Sequence, residues 1–389
     1  MIYLLYIAAG YLVITSVVFF LNRRDFSPLL PAKNNIFDEQ SPTVSICIPA
    51  RNEENVIQKC LESALTQNYP NFEVIVLDDE STDRTPHILK ELKSSRPHTL
   101  KVIEGEPKPE NWLGKPWACQ QLSEEAEGKI LIFIDADTWL DKNMVSKIVR
   151  TMGHDVVDFL TIWPKQQLGT FWERTVIPLV YYALLSLLPA RYVYKVPSWV
   201  PDMLKPLVRP LFAAACGQCM AFKRSAYDII GGHASVKTEV VEDVALAKKI
   251  KEQGLKMKMY HGEASISCRM YTSGKELKEG FSKNFLAGFN YNIPGFLLMG
   301  LLHLIVFVLP FVTLPAGILS GDFPLALISA FCIGIIFVHR FILARWFDWK
   351  SSYAFSHPLA VLWFQKLGIE LIRNHLSGKK SSWKGRTVN

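Results

Sequence analysis

Between Thr43 and Asp137 the chain alternates short apolar runs with helix-length stretches, and three of the runs end abruptly on polar or acidic residues. Val44–Ile48, Phe72–Leu77, Leu100–Ile103 and Ile130–Ile134 have the length and β-branched content of buried strands. Asn55–Thr66, Asp83–Lys93 and Lys115–Ala126 read as the helices between them. Buried strands separated by helices predict an α/β fold with a mostly parallel sheet and right-handed crossovers. Ligands of such sheets bind outside the carboxyl ends of the strands. Arg51-Asn52-Glu53, Asp78-Asp79 and the pair Asp135 and Asp137 are therefore expected to face one crevice.

The last pair poses a charge problem. Residues one apart on an extended strand point the same way, so the two carboxylates converge. They repel unless a cation sits between them or one is protonated. A hard divalent ion, Mn²⁺ or Mg²⁺, relieves the repulsion and commonly bridges to phosphate oxygens. The alternative is an ordinary acidic turn and helix cap closing the strand. In Asp78-Asp-Glu-Ser-Thr-Asp83 a strand-end carboxylate can accept from a base or from ribose hydroxyls, while Ser81 or Thr82 can instead cap the next helix. Gly114-Lys115 opens a helix, where an ammonium and a helix N-terminus together favour a pyrophosphate; a solvated surface lysine is the other reading.

Apolar residues make up 49 % of the chain and charged ones 20 %, which points to hydrophobic segments beyond a soluble core. Ile2–Leu21 is uncharged and long enough for a bilayer crossing of roughly 20 residues, without the positive start or cleavage site of a removed signal peptide. Arg23 and Arg24 follow it and place the next segment in the cytoplasm. Ile293–Leu319 and Phe323–Phe341 can each span, and His339, Arg340, Arg345 and Lys350 mark a return to the cytoplasm. Leu359–Ile372 carries Gln365, Lys366 and Glu370 and reads as an interfacial helix, with a third C-terminal span as the alternative. The basic tail Arg373, Lys379, Lys380, Lys384 and Arg386 favours the former. The apolar stretches Ile177–Leu188 and Met203–Ala215, interrupted by Pro and Arg, read as membrane-surface or acceptor-site helices.

The expected layout is an N-terminal transmembrane helix over 1–22, a linker over 23–42 and a cytoplasmic catalytic domain over 43–290, with the membrane-surface helices around 175–215. Two transmembrane helices over 291–345 and an interfacial helix with its basic tail over 346–389 complete it. The net charge of +7 suits an anionic membrane face or ligand, and the basic residues form no aromatic-interleaved stripe for nucleic acid. Seven scattered cysteines form no disulfide framework and fit a reducing compartment. Cys216-Gly-Gln-Cys219 lacks the second ligand pair of a structural zinc site, so core cysteines are expected there.

Taken in order, PARNE (49–53), DDESTD (78–83), the stretch 114–137 ending in IDAD, Gly231-Gly232 and VVEDVAL (240–246) resemble the motifs of the family 2 glycosyltransferases over roughly Thr43–Tyr271. The resemblance implies the GT-A fold and inverting transfer of a sugar from a nucleotide-sugar donor. At the matching positions it implies that Pro49, Ala50, Glu53, Asp78 and Asp79 line a uracil and ribose pocket, with Lys115 near the phosphates. Asp135 and Asp137 match the metal-binding acids, Asp137 the more direct ligand, and Glu242-Asp243 the late acidic pair whose Asp is the catalytic base. The alternative for that pair is the acidic first turn of a helix Val241–Lys251.

Polymer synthases and ceramide glucosyltransferases of this family carry Gln/Arg-x-x-Arg-Trp after the base; here the region reads Glu279-Gly-Phe-Ser-Lys-Asn-Phe285. GGH (231–233), CRMYTSGKELKEGFSKNF (268–285), HPLAVLWF (357–364) and WKGR (383–386) instead look like the bacterial membrane enzymes that glycosylate carotenoid carboxylates, the diaponeurosporenoate glycosyltransferases. In that role Arg269 and Lys283 would attract an acceptor carboxylate or the donor diphosphate, a membrane-surface basic patch being the other reading. His261 reads as a third metal ligand or as a core histidine. The expected protein is a multi-pass membrane enzyme moving a sugar, glucose foremost, from UDP to a lipid or carotenoid acceptor. A polysaccharide synthase and a non-catalytic membrane scaffold are the alternatives; the intact acids Asp79, Asp135, Asp137 and Asp243 argue against the scaffold.

Overall fold

The computed structural model describes residues 1–32, 37–95, 99–262 and 265–379, together with the backbone of 382–383 and 386–387. Lys380 and Lys384 of the basic tail, and the middle of the 383–386 motif, lie outside the described residues.

One compact unit comprises Phe26–Gln167 and Ala190–Met270. Its strands are Val44–Ala50 (β1), Phe72–Asp78 (β2), Leu100–Glu104 (β3), Ile130–Ile134 (β4), Thr138–Leu140 (β5), Phe159–Trp163 (β6), Lys165–Gln166 (β7), Cys219–Lys223 (β8), Met257–His261 (β9) and Ile266–Cys268 (β10). Seven of them form a sheet in the order β3-β2-β1-β4-β8-β6-β9. β1 to β4 run parallel, β8 runs antiparallel to both its neighbours, and β6 pairs parallel with β9. β5, β10 and β7 form a small second sheet. The expected mostly parallel α/β architecture is what forms.

The centre of the sheet is dry because both faces are covered. Every residue of β4 is buried, and all of β1 except Pro49. Helix Ile57–Leu65 turns Ile57, Cys60, Leu61 and Ala64 inward at helical spacing, and each fully buried aliphatic side chain contributes about 1.5–3 kcal/mol. β1 continues two residues past the expected Val44–Ile48, through Pro49 to Ala50. Proline is tolerated in this central strand because pairing with β4 stops at Cys47 opposite Phe133.

The other unit gathers Met1–Asp25, Leu168–Pro189 and Tyr271–Asn389 and is helical among its described residues apart from the short pair Ser382–Trp383 and Arg386–Thr387. Three helices among the described residues are long and apolar enough to cross a membrane: Ile2–Asp25, Ile293–Ser320 and Phe323–Trp346. The second is interrupted at Val308, where Pro310, with no N–H, opens a new helical segment. His357–Leu376 is a continuous helix outside that set. Ile177–Leu188 coincides, up to Leu187, with helix Phe171–Leu187, which is begun by a Thr170–Glu173 capping box and capped by Leu188. Met203–Ala215 resolves into short turns of helix, because Pro201, Pro206 and Pro210 recur at intervals too short for a longer one, and leaves Met203, Leu207 and Leu211 exposed.

Gly231-Gly232 makes the turn after helix Arg224–Ile229. Gly232 has φ +50°, and a Cβ there would lie 2.5 Å from the Tyr227 ring. That ring is stacked on Phe133 in β4, and its hydroxyl lies 2.7 Å from buried His233 Nδ1. Gly232→Ala should therefore cost about 1–3 kcal/mol of stability, read as a lower melting temperature; an unchanged melting temperature would show that the turn can repack.

Candidate active site

The topology brings distant residues to one edge. Because β8 is antiparallel to β4, Cys219 at its start pairs with Ile134 at the end of β4. The segment Cys216–Gln218 therefore enters beside Asp135, whose N–H donates to Gln218 O at 3.4 Å. Helix Gly114–Glu125 begins with Lys115 in its first turn, and helix Glu242–Glu252 begins on the two acids themselves.

Lys115 joins these ends. Its Nζ lies 2.7 Å from Asp135 Oδ1 and 3.0 Å from Glu242 Oε1. Burial opposes the ammonium charge, but Asp135 and Glu242 outweigh it and hold Lys115 well above its ordinary value. Asp243 points to another partner: Gly217 N–H donates to its Oδ2 at 2.8 Å, and Val244 N–H to its Oδ1 at 2.8 Å. Burial, and then the neighbouring Glu242 charge, push Asp243 up to about 6, against Lys115 and the two N–H groups. A Cβ on Gly217 would lie 3.1 Å from Lys115 Nζ, a tight contact, and 3.4 Å from Asp243 Oδ2, an ordinary one.

Asp137 has its own support. Buried Cys268 in β10 places its Sγ 3.4 Å from Asp137 Oδ1, and Arg269 N–H donates to Asp137 O at 3.2 Å. Cys268 Sγ accepts from Gln218 Nε2 at 2.9 Å, and Gln218 Oε1 accepts from Gln166 Nε2 at 2.7 Å. Burial first, and then Asp137, keep the Cys268 thiol protonated.

Among the described residues no group of three or more His, Cys, Asp or Glu side chains is disposed to hold a metal ion. Asp135 and Asp137 both carry hard carboxylate oxygens, one residue apart at the end of β4. Mn²⁺ and Mg²⁺ are often held by one or two carboxylates plus substrate phosphates, so the donor chemistry fits an ion that arrives with a diphosphate.

The loops after β1 and β2 are bonded to each other. Asp79 N–H donates to Ala50 O at 2.8 Å, Asn52 N–H to Ser81 Oγ at 2.9 Å, and Glu53 N–H to Thr85 Oγ1 at 2.8 Å. Arg51 donates to the carbonyl oxygens of Asp79 and Glu80. Asn52 and Glu80 adopt left-handed conformations, φ 52° and 54°, to make these turns. Asp79 is buried, whereas Asp78 folds back to accept from Ser81 N–H at 3.3 Å. Ser81 is thus spent on Asn52, and Asp83 serves the start of helix Thr85–Ser95, accepting from Thr85 N–H at 2.9 Å.

His261 packs on Phe26 at 5.7 Å between ring centroids, its N–H donating to Ser27 O, and burial lowers it to about 4. Arg269 follows β10 beside Asp137, while Lys283 belongs to helix Gly274–Asn284 of the helical unit. Gly217, Gln218, Cys268 and Gln166 were not legible as site residues. Gly217 and Gln218 carried a signal only inside the Cys-Gly-Gln-Cys stretch and Cys268 only as the first residue of the 268–285 motif, and all seven cysteines are unpaired.

Residues 45–193 match the model for glycosyl transferase family 2, and residues 210–276 that for glycosyl transferase family 21. The protein is a glycosyltransferase with a family 2 domain on a GT-A fold. It is similar to the 4,4'-diaponeurosporenoate glycosyltransferase of Staphylococcus aureus, at 26 % identity over 364 residues covering 92 % of this chain and 90 % of that one. The enzyme of the same name from Staphylococcus haemolyticus is 26 % identical over 280 residues, covering 69 % and 67 %. A mannosyltransferase from Pyrobaculum calidifontis, solved in complex with GDP-Man and Mn²⁺, shares the fold at TM-score 0.55 and 19 % identity over 92 % of this chain and 99 % of that one.

Asp243 sits near 6 rather than 3.8, so the folded state binds more protons than the unfolded one between these values and stability falls as pH rises through that window. Lys115 offsets part of that loss. Lys115→Met should cost about 1–3 kcal/mol at pH 8, discounted because the lysine is partly exposed, and less at pH 4.5. Melting curves at the two pH values check this; an equal loss at both would mean that charge is not what Lys115 supplies.

Proposed function

We propose that the protein is a membrane-anchored inverting glycosyltransferase moving a sugar, glucose foremost, from a UDP-sugar to a lipid-soluble acceptor such as a carotenoid carboxylate. The carrying observation is that Lys115 ties Asp135, from the IDAD motif, to Glu242 beside Asp243. Leaving-group and acceptor chemistry thereby meet in one cluster. The names of the staphylococcal relatives favour a carotenoid carboxylate, and the exposed apolar helices favour a membrane, with the catalytic unit on the cytoplasmic side where Arg23 and Arg24 follow the first span.

In this reading Pro49, Ala50, Glu53, Asp78 and Asp79 border the uridine, and Lys115 offers its ammonium to the diphosphate. A divalent ion held by Asp137 and Asp135 would supply charge neutralisation for the departing diphosphate. Asp243 takes the proton of an acceptor hydroxyl as its oxygen bonds to the anomeric carbon and the carbon–oxygen bond to UDP breaks on the opposite face. A value near 6 suits a base that is ionised at neutral pH. Glu242, bound to Lys115, keeps that charge balanced.

The acceptor class decides what Asp243 is needed for, since a hydroxyl must lose a proton during attack and a carboxylate arrives ionised. Asp243→Asn should lose about 10²–10⁴-fold in transfer to a hydroxyl acceptor, with UDP-sugar binding retained, and less with a carboxylate acceptor. Unchanged turnover with a hydroxyl acceptor would remove Asp243 from the base role. Asp137→Ala should abolish metal-dependent UDP binding in titration calorimetry, and retained binding would reassign the metal. Incubating membranes with labelled UDP-sugars and weighing the lipid extract by mass spectrometry tests the overall reading; no sugar-bearing lipid from any donor would overturn it.

A further inference from the structure

Within the helical unit lies a buried basic cluster that the transfer chemistry does not use. Arg340 is in the apolar helix Phe323–Trp346 and is 3 % exposed. Its Nη2 donates to Tyr353 O at 3.3 Å, but its buried Nη1 has no hydrogen-bond partner. His357, at the start of helix His357–Leu376, is fully buried, and neither ring nitrogen has a partner. Its ring packs against Tyr182 and Phe307 at 5.3 and 5.1 Å between centroids. Tyr182 OH lies 3.2 Å from Nδ1 of the third basic residue, His339, which stacks on Phe19.

A guanidinium buried among apolar and aromatic side chains is costly unless an opposite charge meets it. Among the described residues the Arg340 guanidinium meets a backbone carbonyl and no carboxylate. Burial, and then the Arg340 charge, hold His357 neutral, so it offers one N–H donor without adding charge. Ionisable groups within apolar helices mark ligand sites, and a guanidinium fork matches the paired oxygens of a carboxylate or phosphate. The cluster is also at the right depth for a headgroup. Arg345 and Trp346 close the Arg340 helix, and Trp349 and Tyr353 follow, the residue types of a membrane–water interface.

We propose that Arg340 and His357 form a binding site for the oxyanion head of an amphiphilic lipid, a carboxylate or a phosphate. Two sources share that chemistry: the acceptor's own carboxylate, which rests on the function proposed above, and an anionic phospholipid of the bilayer, which does not. Arg340 supplies the charge and His357 a second donor, while the surrounding aromatic rings cover the first carbons of the chain.

The test uses the full chain in neutral detergent with oleate against methyl oleate, and phosphatidylglycerol against phosphatidylcholine. Binding is read by native mass spectrometry and by the melting temperature. At least one anion should bind and raise the melting temperature while its neutral counterpart does not. Arg340→Gln should weaken that binding tenfold or more, about 1.4 kcal/mol, and Arg340→Lys less. His357→Phe keeps the packing and should weaken it as well, so the proposal stays testable if one variant folds poorly. Preference for oleate, with an acceptor KM raised in Arg340→Gln and an unchanged UDP-sugar KM, assigns the acceptor. Preference for phosphatidylglycerol with both KM values unchanged assigns a bilayer lipid. Equal binding of anions and neutral lipids, or anion binding that survives Arg340→Gln and His357→Phe, overturns the site. Because binding is measured without turnover, failure of the glycosyltransfer reading leaves this result standing.

Discussion

The contact of Lys115 with Asp135 and Glu242 holds the catalytic unit's chemistry in place. Each partner starts or ends a different element, so the cluster forms only when all three arrive at one place. Ion pairs of this kind add little net stability, since desolvation consumes most of the Coulombic gain. They do impose one geometry: three termini must arrive together, or a charge is left unpaired.

That geometry separates two neighbouring carboxylates by environment. Glu242 is neutralised by a cation, whereas Asp243 is turned toward the Gly217 N–H and left titrating near 6. The local sequence treats them as one acidic first turn, favourable to the helix dipole. The fold makes one a structural counter-charge and the other a group able to take up a proton. Asp137 is similarly distinguished from Asp135 by what lies behind it, a thiol and two amide side chains instead of a lysine.

The helical unit obeys a different economy. Its three long helices expose apolar surface, and three of its buried polar residues, His339, Arg340 and His357, lie in the neighbourhood of Tyr182.

Much of this was legible along the chain. Strand and helix alternation gave the sheet because hydrophobic period and length are local properties, and the strand-end acids marked the crevice because a parallel sheet always opens there. The apolar helices were equally plain, being set by composition alone. β1 runs further than expected because its pairing with β2 continues to Ala50, while pairing with β4 ends before Pro49, a fact about neighbours. Ser81 could not be told from a helix cap until Asn52 was placed beside it. Gly217, Gln218 and Cys268 could not be read as site residues because they approach or bond groups as far as 131 residues away, through the antiparallel entry of β8 and the pairing of β10 with β5. The residues by themselves determined which chemistry was present and on which element ends it stood. Only the tertiary structure decided which acid meets the lysine, which meets a backbone N–H and which meets a thiol, because charge and hydrogen bonding depend on distance in space and not along the chain.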